Sequence, residues 1–390
     1  MASNEKISLA LLTAGHLVND LYGGLLPALY PIFQVLYGSS YAQIGLYTAA
    51  YLLGSAFFQP FFGHMYDRYR LRLMLPLSLV LGGVGIGLLG FAQSFEISLL
   101  LVIIAGFGAA IFHPVASALS TSKPKSASLM FSIFMVGGRI GAAIGPLVGL
   151  ALYNSLELGG LALLLIPPLL LYHSLYSISH AGMIETRGSG KPSISNVKDD
   201  HRSGILLSVI SIQASLVTFL GVGISILSNG VTQFISTFSV FLGFGKEFGA
   251  LLLTANFIGA MIGVPILVRL SDKIGRRLAS ILLAVSASIL TVLLCFPNRY
   301  LMIVIMIGLG AFATSIHTIL ILILHELMPE RKGLATSLIY GIAFGIGGLT
   351  APLTGHLIDV GGFISTFQIL ALIGIISATP LIFMRLRPPR

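Results

Sequence analysis

The feature that most restricts this chain is a series of apolar runs, each about as long as a bilayer is thick, joined by short polar loops. A spanning helix needs about 20 mostly apolar residues. Twelve stretches qualify: 7–36, 41–65, 73–92, 97–119, 128–153, 158–179, 205–239, 247–268, 278–296, 300–324, 334–357 and 364–384. In lipid every backbone N–H and C=O must find a partner within the fold, which for runs of this length means helix. The expected class is an all-α integral membrane protein with twelve transmembrane helices. The competing class is one very apolar soluble core. Charge argues against it, because only 9% of the residues are charged, where soluble proteins carry about 25%. Mean hydropathy is +0.97. The lone Cys295 lies in an apolar run, so it reads as a small buried hydrophobe and no intramolecular disulfide is expected. The opening Met-Ala-Ser-Asn-Glu-Lys leads into an apolar stretch too long for a signal peptide, so the first helix is expected to stay.

Lys and Arg in short loops set the orientation. With the N-terminus inside, every basic residue except Arg139, Lys246 and Arg299 falls in an inner segment. Both termini are therefore expected in the cytoplasm, and the cell membrane is the expected location. The net charge of +9 reads as contact with the inner leaflet, not as a nucleic-acid footprint. A hydrophilic stretch from Ala181 to Gly204 separates six spans from six and reads as a solvated linker. The expected division is a first bundle over 1–180, a linker over 181–204 and a second bundle over 205–390.

The halves repeat. Gly63–Arg68 (G-H-M-Y-D-R) follows span two, and Val268–Arg277 (V-R-L-S-D-K-I-G-R-R) follows span eight. Gly145–Gly149 (G-P-L-V-G) in span five matches Ala351–Gly355 (A-P-L-T-G) in span eleven. Gly15 and Gly24 match Gly221 and Gly230, and His113 falls opposite His317. Two parallel repeats around a midplane site are one of the standard transporter plans.

On these motifs the chain resembles the major facilitator superfamily over its whole length. The loop after span two looks like that superfamily's signature, with Arg70 and Val268 standing where glycines are usual. The runs G-H-L-V-N-D, L-P-A-L-Y-P, Y-A-Q-I-G, Q-P-F-F-G, I-F-H-P and M-V-G-G-R-I-G-A-A-I-G-P are closer still to the fosmidomycin-resistance family of exporters. The resemblance implies alternating access between two bundles. It also gives Gly63, Asp67, Arg68, Asp272 and Arg276 the role of a cytoplasmic gate that latches the bundles together. A plain positive-inside cluster is the competing reading of those loops. The Gly-Pro run in span five leans toward export.

Ionisable residues inside spans carry the chemistry, since a charge in lipid is costly and marks a cavity, an ion path or a proton relay. Asp20 is the one acid deep inside a span, about 20 Å along the first helix. His16 lies one turn before it, with Asn19 adjacent, and a helix packing contact is the structural alternative. His113 precedes Pro114, where the helix loses a hydrogen bond and can hinge. Asp20, His16 and His113 are the expected proton-coupling residues. Asn19, Arg139, His317, Asn229 and Gln233 are the expected substrate-cavity residues. Arg139 has two readings, a partner for Asp20 or a clamp for an anionic cargo. His16, Asp20 and Arg139 correspond to Val222, Ile226 and Gly345 in the second half, so proton chemistry belongs to the first.

The leading expectation is a proton-coupled exporter of small drug-like or anionic compounds. The alternative is a symporter or uniporter of a small organic anion or other metabolite. The expected partners are a small-molecule substrate, protons and the lipid bilayer, with the protein a monomer and no nucleic acid bound. An embedded enzyme would need a nucleophile–base or metal constellation, and none is legible. Gly85–Gly90 (G-I-G-L-L-G) lies within an apolar span with no strand before it. His325 and Glu326 lack a second histidine at zinc-protease spacing, and no Walker loop occurs. No enzymatic activity, cofactor or metal is expected.

Overall fold

The computed structural model describes residues 3–69, 71–121, 127–188 and 212–384, and the side chains of 6–69, 71–121, 129–180 and 212–384. Every regular element among them is helical. α1 runs Ser3–Tyr37 and ends at Gly38, whose φ of 60° a side chain would resist. α2 (Tyr41–Leu52) starts on a capping box of Ser40 and Gln43, and a π-helical segment, Leu53–Phe57, joins it to α3 (Gln59–Tyr69). α4 (Met74–Gly87), α5 (Phe95–Ser120), α6 (Ala127–Leu156) and α7 (Ile166–Gly188) complete the first half. The second half holds α8 (Ile212–Phe241), α9 (Lys246–Ile274), α10 (Arg276–Leu293) and α11 (Arg299–Leu327). It closes with α12 (Lys332–Ser337), a second π-helical segment, α13 (Phe344–Leu349) and α14 (Ala351–Phe383).

Among the described residues, nine helical stretches are long and apolar enough to cross a membrane. The last, Lys332–Phe383, is 52 residues long and turns at Gly362, where φ is 78°. It therefore supplies more helix than one crossing needs. α1 falls outside that set because His16, Asn19 and Asp20 dilute its hydropathy. α7 continues to Gly188, into the stretch expected as linker. The rest of it, with Arg70, Lys123, Lys125 and the basic C-terminus, lies outside the described residues.

The surface belongs in lipid. Leu170 is 75% exposed and Phe383 85%, within a broad coat of exposed Leu, Ile and Phe. Between helices the hydrophobic effect contributes little, because lipid is as apolar as the side chains, so close packing holds them instead. α1 and α6 show how. Gly141 has its Cα against the Leu17 carbonyl, so any side chain there would overlap backbone. Gly145 meets α1 in the same way one turn on, and the two helices run in contact along the bundle.

The halves touch at one end, the end of loops 38–40 and 242–245. There the Asp359 carboxylate accepts hydrogen bonds from the backbone N–H groups of Tyr41 and Ala42, both at 2.9 Å. A first-half helix is thus capped by an anion from the second half, where the helix dipole favours one. Asn154 donates to Glu247 at 3.3 Å, and Thr254 on α9 donates to the Ala143 carbonyl on α6 at 2.8 Å. At the opposite end, where Asp67, Arg68, Asp272 and Arg276 sit, Arg276 pairs with Asp272 and Glu326 within the second half.

Candidate functional site

Asp20 lies on the middle of α1 and is 26% exposed, into a cavity of about 270 Å³ between the halves. Two histidines converge on its carboxylate. His16 Nε2 stands 3.3 Å from Oδ2, and His113 Nε2, from α5, stands 3.6 Å from Oδ1. The Asn19 amide donates to Oδ1 at 2.9 Å and lies 3.3 Å from His113 Nε2. His16 is nearly fully buried, its ring stacked on Phe134 at 4.1 Å.

The tautomer of His16 follows from its partners. Nδ1 lies 2.8 Å from the Phe134 carbonyl oxygen, which can only accept, so Nδ1 carries the proton. In the neutral ring Nε2 is then a lone pair facing a carboxylate oxygen. Such a pair repels unless a cation lies between them, and a proton on Nε2 is the simplest one.

The wall beside it is Gly138 of α6. A Cβ there would fall 2.5 Å from both Asp20 Oδ2 and His16 Nε2, so any side chain would displace one of them. The far wall comes from the second half: Asn229, Gln233 and Phe257. Gln233 accepts a hydrogen bond from Thr48 at 2.9 Å, and Thr48 bonds in turn to the Tyr30 hydroxyl at 2.9 Å. Asn229 donates to the Ser225 carbonyl at 3.0 Å. The polar lining therefore runs from the Asp20 carboxylate and the His113 imidazole on one side to two carboxamides on the other, with His16 buried behind Asp20.

The sequence-derived residues divide. Asp20, His16, His113 and Asn19 come together, and Asn229 and Gln233 line the same cavity. Arg139 does not pair with Asp20. It is exposed, and among the described residues it forms no ion pair. The glycines that meet α1 define one face of α6, and Arg139 points off it, one turn before the Ala143 carbonyl that contacts α9. His317 does not reach the cavity either. It is 3% exposed, with Nε2 2.8 Å from Ser225 Oγ and 3.3 Å from the Gly221 carbonyl. Phe344 covers its ring at 4.4 Å.

The gate residues occupy the open end. Asp67 and Arg68 are exposed and bridge to nothing in the second half among the described residues. Gly63 leaves room beside Pro114. Arg276 binds Asp272 at 3.0 Å and Glu326 at 2.7 Å, all within the second half. Sequence reading missed Tyr30, Thr48, Tyr51 and Phe257 on the cavity wall and Asp359 at the joined end. The signal for the first three was a hydroxyl inside an apolar span. Phe257 gave none.

A profile of the Major Facilitator Superfamily matches residues 12–253 and 214–390. The fosmidomycin resistance protein of Escherichia coli (strain K12) is 28% identical over 353 residues, covering 90% of this chain and 86% of that protein. The uncharacterized MFS-type transporter YfnC of Bacillus subtilis (strain 168) is 27% identical over 371 residues, 93% of this chain and 88% of its own. Among solved structures, the nucleoside transporter NupG superposes with a TM-score of 0.72 at 15% identity, over 97% of this chain and 98% of its own. The D-xylose-proton symporter gives 0.71 at 14% identity, over 96% of each chain. The chain belongs to the major facilitator superfamily of membrane transporters and resembles its fosmidomycin-resistance members.

Proposed function

We propose that the protein is a proton-coupled exporter of small drug-like or anionic compounds, working by alternating access in the cell membrane. The observation that carries this reading is the convergence of His16 and His113 on Asp20 at the wall of a cavity shared by both halves. A carboxylate in a membrane core is costly unless it is paired or hydrated, and such residues mark substrate paths and proton relays. Two imidazoles beside it let the cluster take up and release a proton without stranding a bare charge.

Twelve crossings, arranged as bundles over 1–180 and 205–390 around a linker, complete the proposal, with the single chain as the working unit. Placing the basic loops inside puts both termini in the cytoplasm and makes the end joined by Asp359 the outer one. The cavity then opens to the cytoplasm, which is where an exporter loads. Asp67, Arg68, Asp272 and Arg276 are the groups that meet when the inner end closes. Arg139 stands on the flank of α6 that contacts α9, so it reports on closure there and not on Asp20.

Proteoliposomes with an imposed pH gradient test the proposal, using a panel of small compounds headed by fosmidomycin, which the Escherichia coli relative is named for. An antiporter accumulates external compound in vesicles with an acid interior. Accumulation only when the exterior is acid would reverse the reading to symport. Entry that only equilibrates the compound, whatever the gradient, would leave a uniporter.

A further inference from the structure

We infer that His16, His113 and Asp20 form a binding site for one divalent transition-metal ion of the zinc class, with an open coordination position facing the cavity. Binding rests on the geometry of the cluster. Only its consequence, that metal and coupling proton exclude each other, rests on the transport reading above.

Three potential ligand atoms, one from each residue, lie within 4.8 Å of one another. Around tetrahedral Zn²⁺, bonds of about 2.0–2.1 Å to nitrogen and 2.0–2.2 Å to oxygen place neighbouring ligands about 3.3–3.4 Å apart. His16 Nε2 and Asp20 Oδ2 are already 3.3 Å apart, and His113 Nε2, 3.6 Å from the other carboxylate oxygen, completes a set of donor atoms that a closing of the cluster onto an ion would bring to this spacing. Two imidazoles and a carboxylate with a fourth position open are a common arrangement for catalytic or exchangeable zinc.

The surrounding groups fit the same role. A metal-ligating histidine usually donates its other ring N–H to a carbonyl or carboxylate, which fixes the ring and directs the lone pair at the ion. His16 does this through Nδ1 and the Phe134 carbonyl, at 2.8 Å. Asn19 donates to Asp20 Oδ1 and so holds the carboxylate with Oδ2 directed at His16. Gly138 leaves open the space beside His16 Nε2 and Asp20 Oδ2 that a methyl group would fill. His113, 32% exposed, and Asp20, 26% exposed, give the ion a path from the cavity. The spacing of the residues in sequence hides the site, because the third ligand, His113, comes from another helix 93 residues beyond Asp20.

The test uses the full-length protein, purified in detergent on a tag without histidine and titrated with Co²⁺ as a spectroscopic stand-in for Zn²⁺. One Co²⁺ per chain, with the strong visible absorption of a four-coordinate site and displacement by Zn²⁺, is expected. His113→Ala, Asp20→Asn and Gly138→Ala should each weaken binding by roughly a hundredfold or more, beyond what loss of a supporting group costs. His201→Ala should leave it intact; it removes the histidine of the sequence run Asp199-Asp200-His201, the competing source of a signal. Elution as a single species shows which variants fold, and His113→Ala decides if the buried positions do not tolerate change. No saturable binding by the wild type, or binding unchanged in His113→Ala, would overturn the site. Failure here with proton coupling intact would remove only the metal. Metal binding without coupling would instead remove the transport reading.

Discussion

His113 and His317 stand at matching places in the two repeats, yet the structure gives them different surroundings. His113 is a third exposed to the cavity and faces the Asp20 carboxylate. His317 is buried, bonded to Ser225 and Gly221, and covered by Phe344. What differs is the company. Asp20 corresponds to Ile226 and His16 to Val222, so nothing charged faces His317 from α8. Just as Pro146 corresponds to Pro352, Gly138 corresponds to Phe344: the first half leaves a space where the second fills it with a ring. A histidine in a membrane helix is chemical or structural according to what packs against it, and a repeat that keeps the residue while changing its neighbours changes its role.

The largest effect that would sharpen this contrast is on transport. His113→Ala should abolish uphill movement of cargo in proteoliposomes, while His317→Ala should leave the rate per folded molecule close to wild type. Equal loss in both would erase the distinction. Stability should divide the other way. His317→Ala leaves a buried Ser225 hydroxyl without its partner, a cost of about 1–3 kcal/mol, visible as a lower unfolding temperature in detergent. His113→Ala, whose side chain borders the cavity, should shift that temperature less.

The two ends of the molecule offer a smaller contrast. At the joined end, Asp359→Asn weakens an anionic cap on α2 that spans the halves. An exposed charge at a helix N-terminus is worth about 0.3–1 kcal/mol, so the balance toward opening at that end should move roughly two- to fivefold. Labelling of a single cysteine placed at Thr48, in a chain with Cys295 replaced, would measure it. Faster labelling is expected, and an unchanged rate would remove Asp359 from the closure. At the open end, Asp67→Asn should produce the smallest change, a slower turnover with little change in cargo affinity. A large loss of affinity would place Asp67 at the binding site.

Much of this was legible in the chain before any coordinates. Lipid tolerates so few backbone solutions that hydropathy locates most of the helices, and Asp20 with His16 stands out because polar groups in such runs need a reason. The pairing of His113 with Asp20 was not legible as contact, since it depends on how α5 packs beside α1. Arg139 shows a signal left unused. Glycines at 137, 138, 141 and 145 mark the face of α6 that meets α1, and residue 139 points away from it. Asp359 was hidden for the opposite reason: an acid near the end of a span looks like an ordinary loop residue, and only the tertiary fold brings α2 to it.

The central claim is that Asp20 carries the proton and not the cargo. Asp20→Asn in proteoliposomes tests it most directly, with uphill transport driven by a pH gradient and exchange between equally loaded sides measured on the same preparation. The account predicts that uphill transport disappears while exchange continues, because a carboxamide can sit between His16 and His113 but cannot take up a proton. Uphill transport that persists in Asp20→Asn would contradict it.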